Sequence, residues 1–508
     1  MTEPNPPQPS SRSATSYDEV PYESFPFRQT HPDKLTALAA LLGLEAPPVA
    51  GSRVLELGCA SGGNLLPLAV AYPKTQFVGV DLSSVQIAQG QAVVDACGIP
   101  NARLLAMSVT DIDEYFGKFD YIIAHGLYSW VPNAVQEAIL GVCSRNLSEH
   151  GVAYVSYNTL PGWHMHGMIR DLMRFHAMGF PDPGKRVQQA RAMLDFLAQS
   201  VPKDNNAYGL LLQGDLEMLR KLPDYYILHE HLEETNEPLY FHQFVERAQR
   251  HGLQYLADAD VSTMLASRFP PQVSETVRRI APDVIRQEQV MDFLRNRSFR
   301  QTLMVHAARK IERHISPERV QTLWVSGLIQ PHRKSPDIRL GAMEKFSTST
   351  GATVTTSNAI TKAALLVLTE RWPQALSFTD LVSAAHNRIH GLVPQGPTPP
   401  DRHTLANDLL YGYANGLVEL HASASPFAPR AGERPVVSPL ARWQAQAGRP
   451  VTSLRHEVLH PTSALRSLLP LLDGTRSRET ILAATIGVDA AQLEEALGEL
   501  ARAAVLMG

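Results

Sequence analysis

The stretch VLELGCASGGNLLPLA, from Val54 to Ala69, constrains this chain more than any other. An apolar run that suits a strand ends at Gly58, a turn containing Gly58, Gly62 and Gly63 follows, and apolar residues then recur at helical spacing. Glycines in such a turn let the backbone reverse tightly and approach a ligand closely. The helix beyond the turn leaves its first N–H groups free to face that ligand. The turn does not match the dinucleotide fingerprint G-x-G-x-x-G, and it lacks the Gly-Lys-Ser/Thr ending of a phosphate-binding loop.

The flanking residues narrow the ligand. Glu56 lies on the strand just before the turn, where a carboxylate suits an ammonium group and not a pyrophosphate. Asp81 ends the next apolar run, QFVGVD, where a carboxylate can bind both hydroxyls of a ribose. Asp111 follows a third run, in SVTDI, and is placed to accept from an adenine amino group. An ammonium, a ribose and an adenine without phosphate describe S-adenosylmethionine.

The same alternation continues along the chain. RVLELG, QFVGVDLS, ARLLAMSVTD, FDYIIAHG and GVAYVSYN read as five strands separated by helical segments. That spacing predicts an α/β fold with a doubly wound, mostly parallel Rossmann-like sheet. The pattern from 166 to 222 is helical. YYILHEHLEE and QYLADAD have strand character and are expected to be the last strands of the sheet. The region 267–329, including RNRSFRQTLMVH, reads as helical and charged. From 341 onward, helices running into a strand suit a winged-helix-like domain with a final helical piece. The expected divisions are a disordered Pro/Ser-rich tail at 1–16, a core with an N-terminal lid at 17–165, a helical insertion at 166–222, the last strands with a regulatory segment at 223–340, and the C-terminal domain at 341–508.

Composition removes several classes of function. Lys and Arg number 46 against 50 Asp and Glu, a net charge of -4, so no global basic footprint marks a nucleic-acid binder. The three cysteines, Cys59, Cys97 and Cys143, are too few and too scattered for a disulfide framework and fit a reducing compartment. The N-terminus has no signal-like apolar segment and no run is long enough to span a membrane, so a cytoplasmic protein is expected. The pairs His164/His166 and His229/His231 lack a third ligand at metal spacing, and no metal site is expected.

The stretches YDEVPYESFPF (17–27), VLELGCASGGNLLPLA, FVGVDLS, FDYIIAHGLYSWVP, YNTLPGW, LHEHLEE…PLYFHQF and RNRSFRQTL resemble a class I S-adenosylmethionine-dependent methyltransferase. More narrowly, they resemble bacterial methyltransferases with a methyltransferase regulatory domain, which include protein-lysine methyltransferases. The resemblance implies that Glu56, Gly58 and the backbone of Cys59 and Ala60 hold the methionine moiety, that Gly62 also belongs to the cofactor-binding turn, and that Asp81 holds the ribose. Leu82 would pack on the adenine, and Asp111 and Ile112 would meet it. His125 and Gly126 would lie near the sulfonium and the incoming substrate. The common class I turn carries glycine where this chain has Ala60, and alanine fits there if its φ is negative. The product would be S-adenosylhomocysteine.

A lysine nucleophile must arrive neutral, and an aromatic, partly apolar pocket lowers its pKa. Three segments offer such walls: Tyr17, Tyr22 and Phe25; His125, Tyr128 and Trp130; and Asn158 with Trp163. Tyr22, His125, Tyr128, Trp130 and Asn158 are therefore the candidate catalytic residues. N-methylation of lysine on a protein substrate is the leading expectation. The alternatives are methylation of a metabolite, or a cofactor-sensing module without catalysis that acts through its winged helix.

Overall fold

The computed structural model describes Val20 and residues 22–390, 398–485 and 487–507. The expected tail and Tyr17 lie outside the described residues. Helix α1 (Pro32–Leu41) opens with proline at its first turn and His31 Nδ1 accepting from the Asp33 N–H. Gly43, at φ +75°, turns the chain away beyond its end.

Strands and helices then alternate as β1 (Arg53–Leu57), α2 (Leu65–Ala71), β2 (Gln76–Asp81), α3 (Ser84–Cys97), β3 (Ala102–Ala106), β4 (Phe119–Ala124), α4 (Asn133–Arg145) and β5 (Leu147–Asn158). Side chains along each strand divide between two buried faces. Val54, Tyr121, Ile123 and Tyr154 pack with Leu35 and Leu38 of α1 and with α2 and α3. Leu55, Leu57, Ile122, Ala124 and Val155 pack with Ile139 and Leu140 of α4.

The next elements are α5 (Trp163–Ala177), α6 (Pro183–Ser200) and α7 (Ala207–Leu219), which share a core built on Ile169, Met173, Val187, Leu194 and Leu216. YYILHEHLEE does not form the expected strand. It is a helical turn at Asp224–Tyr226 running into a π-helix at Ile227–Leu232. Ile227 and Leu232 lie five residues apart, so the π winding points both into the insertion core, and packing overrides their strand propensity.

Then come α8 (Phe241–Arg250), β6 (Leu253–Asp258), α9 (Pro271–Ile280), α10 (Val284–Arg295) and β7 (Phe299–His306). RNRSFRQTLMVH is thus mostly strand and not the expected charged helix. Asn296, left-handed at φ +49°, ends α10, and β7 enters the sheet between β5 and β6. The strand order is β3-β2-β1-β4-β5-β7-β6, with β7 antiparallel to both neighbours. The order reverses between β1 and β4, so the crevice at their carboxyl ends is the ligand-binding place of such a sheet.

A second region holds β8 (Trp324–Ser326), α11 (Ala359–Arg371), β9 (Leu376–Ser377), α12 (Phe378–His390), α13 (Pro399–Ala414) and β10 (Glu419–His421), with β8 central in a three-stranded sheet. Its core takes in Ala37 and Leu41 of α1 and also Val320 and Leu323, upstream of residue 341. A further core gathers α14 (Pro439–Gln446), α15 (Ser463–Leu468), α16 (Arg478–Ala484) and α17 (Ala490–Arg502). Leu440 and Trp443 of α14 also pack into the core beside α2 and α3, which brings the C-terminal module against the first sheet.

Candidate cofactor site

The glycine turn after β1 is tied to β2. Gly58 and Cys59 both donate their N–H groups to the Val80 carbonyl, at 2.8 and 3.1 Å. Gly58 and Gly62 have φ of +73° and +79°, conformations that favour glycine. The Cys59 thiol points inward against Gly79, where a Cβ would come within 2.7 Å of Sγ, so Cys59 offers only its backbone to a ligand. Asp81 accepts from the Ala60 N–H at 2.8 Å and the Ser83 N–H at 2.9 Å. Its carboxylate therefore shapes the turn at the end of β2, the place where a sheet of this kind meets a ribose. Ala60 has φ of +49°, which corrects the expectation of a negative value. The hydrogen bond to Asp81 holds it in a left-handed conformation that costs a non-glycine residue about 1–2 kcal/mol.

Glu56 is buried, and its Oε1 accepts from Asn64 Nδ2 at 2.7 Å. Its Oε2 is buried with no hydrogen-bond partner among the described residues. Burial pushes its pKa up to about 8, against the opposing hydrogen bond from Asn64. A buried carboxylate with one orphaned oxygen fits an incoming ammonium such as that of the methionine moiety. Leu82, beside Asp81, leaves 47% of its surface open, an apolar face on which an adenine can pack. Asp111 is exposed on the turn that follows β3. The Ile112 side chain is in the core with Val109 and Phe119, its N–H is bound to the Val109 carbonyl, and its own carbonyl accepts from Arg145.

The N-terminal segment lies across this turn. Gly63 donates its N–H to Ser24 Oγ at 2.7 Å, and a Cβ at Gly63 would collide with the Ser24 carbonyl. This third glycine therefore serves the segment and not the ligand. Phe27 donates its N–H to Asn64 Oδ1 at 2.8 Å, and its ring lies 4.0 Å from the His125 ring. Tyr22 packs edge-on against Tyr225 and His229, and His229 Nε2 donates to the Val20 carbonyl at 2.7 Å.

His125 follows β4. Its Nδ1 meets the Tyr154 hydroxyl at 2.9 Å and Ser156 Oγ at 3.2 Å, and burial lowers its pKa to about 4. A neutral imidazole of such low basicity shapes and orients; it is a poor acceptor for an ammonium proton. Tyr128 is not in the site. It is fully buried between Tyr157 and Phe244, because the turn after β4 aims it at the α4 side of the sheet. Trp130 packs edge-on with Trp163 at 6.0 Å. Asn158, at the carboxyl end of β5, donates from Nδ2 to Asn236 Oδ1 at 3.0 Å.

Two contributors were not singled out from sequence. Asn64 joins Glu56, Phe27 and Thr30, and a polar residue at the start of the apolar LLPLAVA helix is its local signal. His456 also bonds Asn64 at 2.7 Å across 392 positions, and nothing in its own neighbourhood announces that. Arg300 is 1% exposed and bonds Asp292 and Glu288 at 2.7 and 2.9 Å.

The strand order, the glycine turn and the carboxylates at the ends of β1 and β2 together define a class I S-adenosylmethionine-dependent methyltransferase. Residues 54–151 match the methyltransferase domain, 223–306 the predicted methyltransferase regulatory domain, and 433–494 the PKMT C-terminal winged helix domain. The chain is 38% identical over 478 residues to uncharacterized protein RP789 of Rickettsia prowazekii, covering 93% of this chain and 85% of that one. The solved structure of PKMT2 from Rickettsia typhi, in complex with AdoHcy, superposes with a TM-score of 0.84 at 30% identity, covering 96% of this chain and 100% of the other. The chain belongs to this family of methyltransferases with a regulatory domain and a PKMT-type winged helix. No helix among the described residues is long and apolar enough to cross a membrane.

Proposed function

We propose that the chain N-methylates lysine side chains of a protein substrate. The observation that carries this reading is Glu230. It follows His229, which holds the N-terminal segment, and its charge is felt by Tyr22 and Tyr226. It has no hydrogen bond or ion pair among the described residues, and burial pushes its pKa up to about 7. A half-buried carboxylate without a partner, beside Tyr22, Tyr225 and Tyr226, suits a cationic amine. The likeness to PKMT2 supports the same reading.

When bound, S-adenosylmethionine supplies a methyl group on a sulfonium, whose carbon bonds to the nucleophile as the C–S electron pair returns to sulfur. The protein's work is to position the amine and remove its proton. Glu230 draws in the lysine ammonium. Desolvation among the tyrosines lowers the amine's pKa, while the raised pKa of Glu230 makes it a stronger base, so the gap for proton transfer narrows. The test is methyl-labelled cofactor with a lysate split into protein and small-molecule fractions and an Asp81→Ala control. Label on protein lysines, absent from the control, is the expected result; label confined to small molecules overturns the reading.

A further inference from the structure

The loop Ser453–Glu457 of the C-terminal module reaches the buried carboxylate of the cofactor site through Asn64. His456 is 1% exposed and takes a left-handed conformation, φ +64°, to get there. Its Nε2 lies 2.7 Å from Asn64 Oδ1, the oxygen that also accepts from the Phe27 N–H at 2.8 Å and lies 3.1 Å from the Thr30 hydroxyl. A backbone N–H can only donate, so this end of the Asn64 side chain is the oxygen and His456 Nε2 carries the proton. Burial holds the ring neutral, and its Nδ1 has no partner among the described residues.

With several donors converging on its oxygen, the Asn64 amide has one orientation. Its NH2 group faces Glu56 and bonds a single carboxylate oxygen, leaving Glu56 Oε2 orphaned. A flipped amide would set NH2 against the Phe27 N–H, which is repulsive, and would take the donor away from Glu56. We propose that His456 is a positioning residue through which the C-terminal module completes the methionine-ammonium subsite: it fixes Asn64, and Asn64 holds Glu56 with one oxygen free for the ammonium. The winged-helix module is then a structural part of the cofactor site. Its surroundings agree. Arg455, just before it in the chain, bonds Glu419 at 2.7 Å; Arg28 bonds Glu419 at 2.6 Å and Glu457 at 2.8 Å, so the N-terminal segment and this loop are locked together where they meet Asn64.

The test compares two ligands by calorimetry on the full chain: S-adenosylmethionine, and 5′-methylthioadenosine, which keeps adenine and ribose but lacks the amino-acid group. His456→Phe keeps the ring and removes the donor; His456→Gln keeps a donor. The expected result is a loss of about tenfold or more in S-adenosylmethionine affinity for His456→Phe, unchanged 5′-methylthioadenosine affinity, and recovery in His456→Gln. An equal loss for both ligands makes the residue merely structural, and an unchanged S-adenosylmethionine affinity removes its role; either overturns the proposal. If wild-type protein binds neither ligand, the cofactor reading itself fails. A second measurement needs no variant. Amide hydrogen exchange of wild-type Leu454–Glu457 is expected to slow with S-adenosylmethionine and not with 5′-methylthioadenosine, and equal protection by both overturns the proposal.

Discussion

Asn64 Nδ2 donates to Glu56 Oε1 at 2.7 Å while Glu56 Oε2 is buried with no partner among the described residues. That buried carboxylate is expected to make cofactor binding pH-dependent. With a pKa raised to about 8 by burial, Glu56 is protonated in the free protein at pH 6–7. Its proton is held more tightly folded than unfolded, so its contribution to stability is present at low pH and lost as pH rises from the ordinary carboxylate range through about 8. An arriving ammonium favours the ionised form and expels the proton. Cofactor affinity is expected to climb with pH between 6 and 8, by at most about tenfold per unit, with release of about one proton. Calorimetry in buffers of different ionisation enthalpy measures both, and Glu56→Gln is expected to flatten the slope.

Asp81 accepts the Ala60 and Ser83 N–H groups, so it serves the turn as well as the ribose it is expected to bind. Asp81→Ala is expected to lower stability by about 2 kcal/mol and cofactor affinity by about a hundredfold or more. Urea unfolding separates the first effect from the second, because loss of binding alone leaves the midpoint of the free protein unmoved.

Ala60 stands at φ +49° in the same turn. Glycine adopts that conformation without strain, although it gains freedom in the unfolded chain. Ala60→Gly is expected to raise stability by up to about 1 kcal/mol, read from the denaturant midpoint. A fall in stability would mean that the turn does not hold Ala60 in this conformation.

The first five strands were legible because each is apolar and, except between β3 and β4, separated from the next by a helix, and the turn with Glu56 and Asp81 was legible because its chemistry is local. The side chains after β4 were not. When both faces of a sheet are buried, an aromatic such as Tyr128 fits either face equally well in the pattern, and the structure gives it to the core beside Phe244. YYILHEHLEE misled because its β-prone residues close a helical core. RNRSFRQTLMVH misled through its arginines, which read as solvent-facing until Asp292 and Glu288 are seen to neutralise Arg300 of β7. The pairing of Asn64 with His456 spans 392 positions, beyond any local signal.

Arg300 illustrates the energetic side of that misreading. Its guanidinium is held by Asp292 and Glu288, and its charge lies 3.6 Å over the Phe241 ring. Removing it leaves buried Glu288 without its cation and Asp292 with only Arg297, 3.8 Å away. Arg300→Ala is expected to destabilise by about 3–5 kcal/mol, measured by urea unfolding. Surface substitutions such as Arg286→Ala, whose partner Asp283 is also exposed, are expected to stay within about 0.5 kcal/mol.

Glu230 tests the acceptor side. If it receives the lysine proton, it must be ionised when the amine is bound, so activity at saturating cofactor rises as pH climbs through about 7. Saturation matters because it removes the separate effect of Glu56 on cofactor binding. Glu230→Gln keeps the shape and hydrogen-bonding size of the side chain and removes its charge and basicity. The variant is expected to bind cofactor as the wild type does, to lose about a hundredfold in kcat/KM toward a lysine-containing protein, and to lose the rise in rate near pH 7. A variant that keeps the wild-type pH profile would place the proton acceptor elsewhere, and one that keeps wild-type kcat/KM would remove Glu230 from the acceptor site.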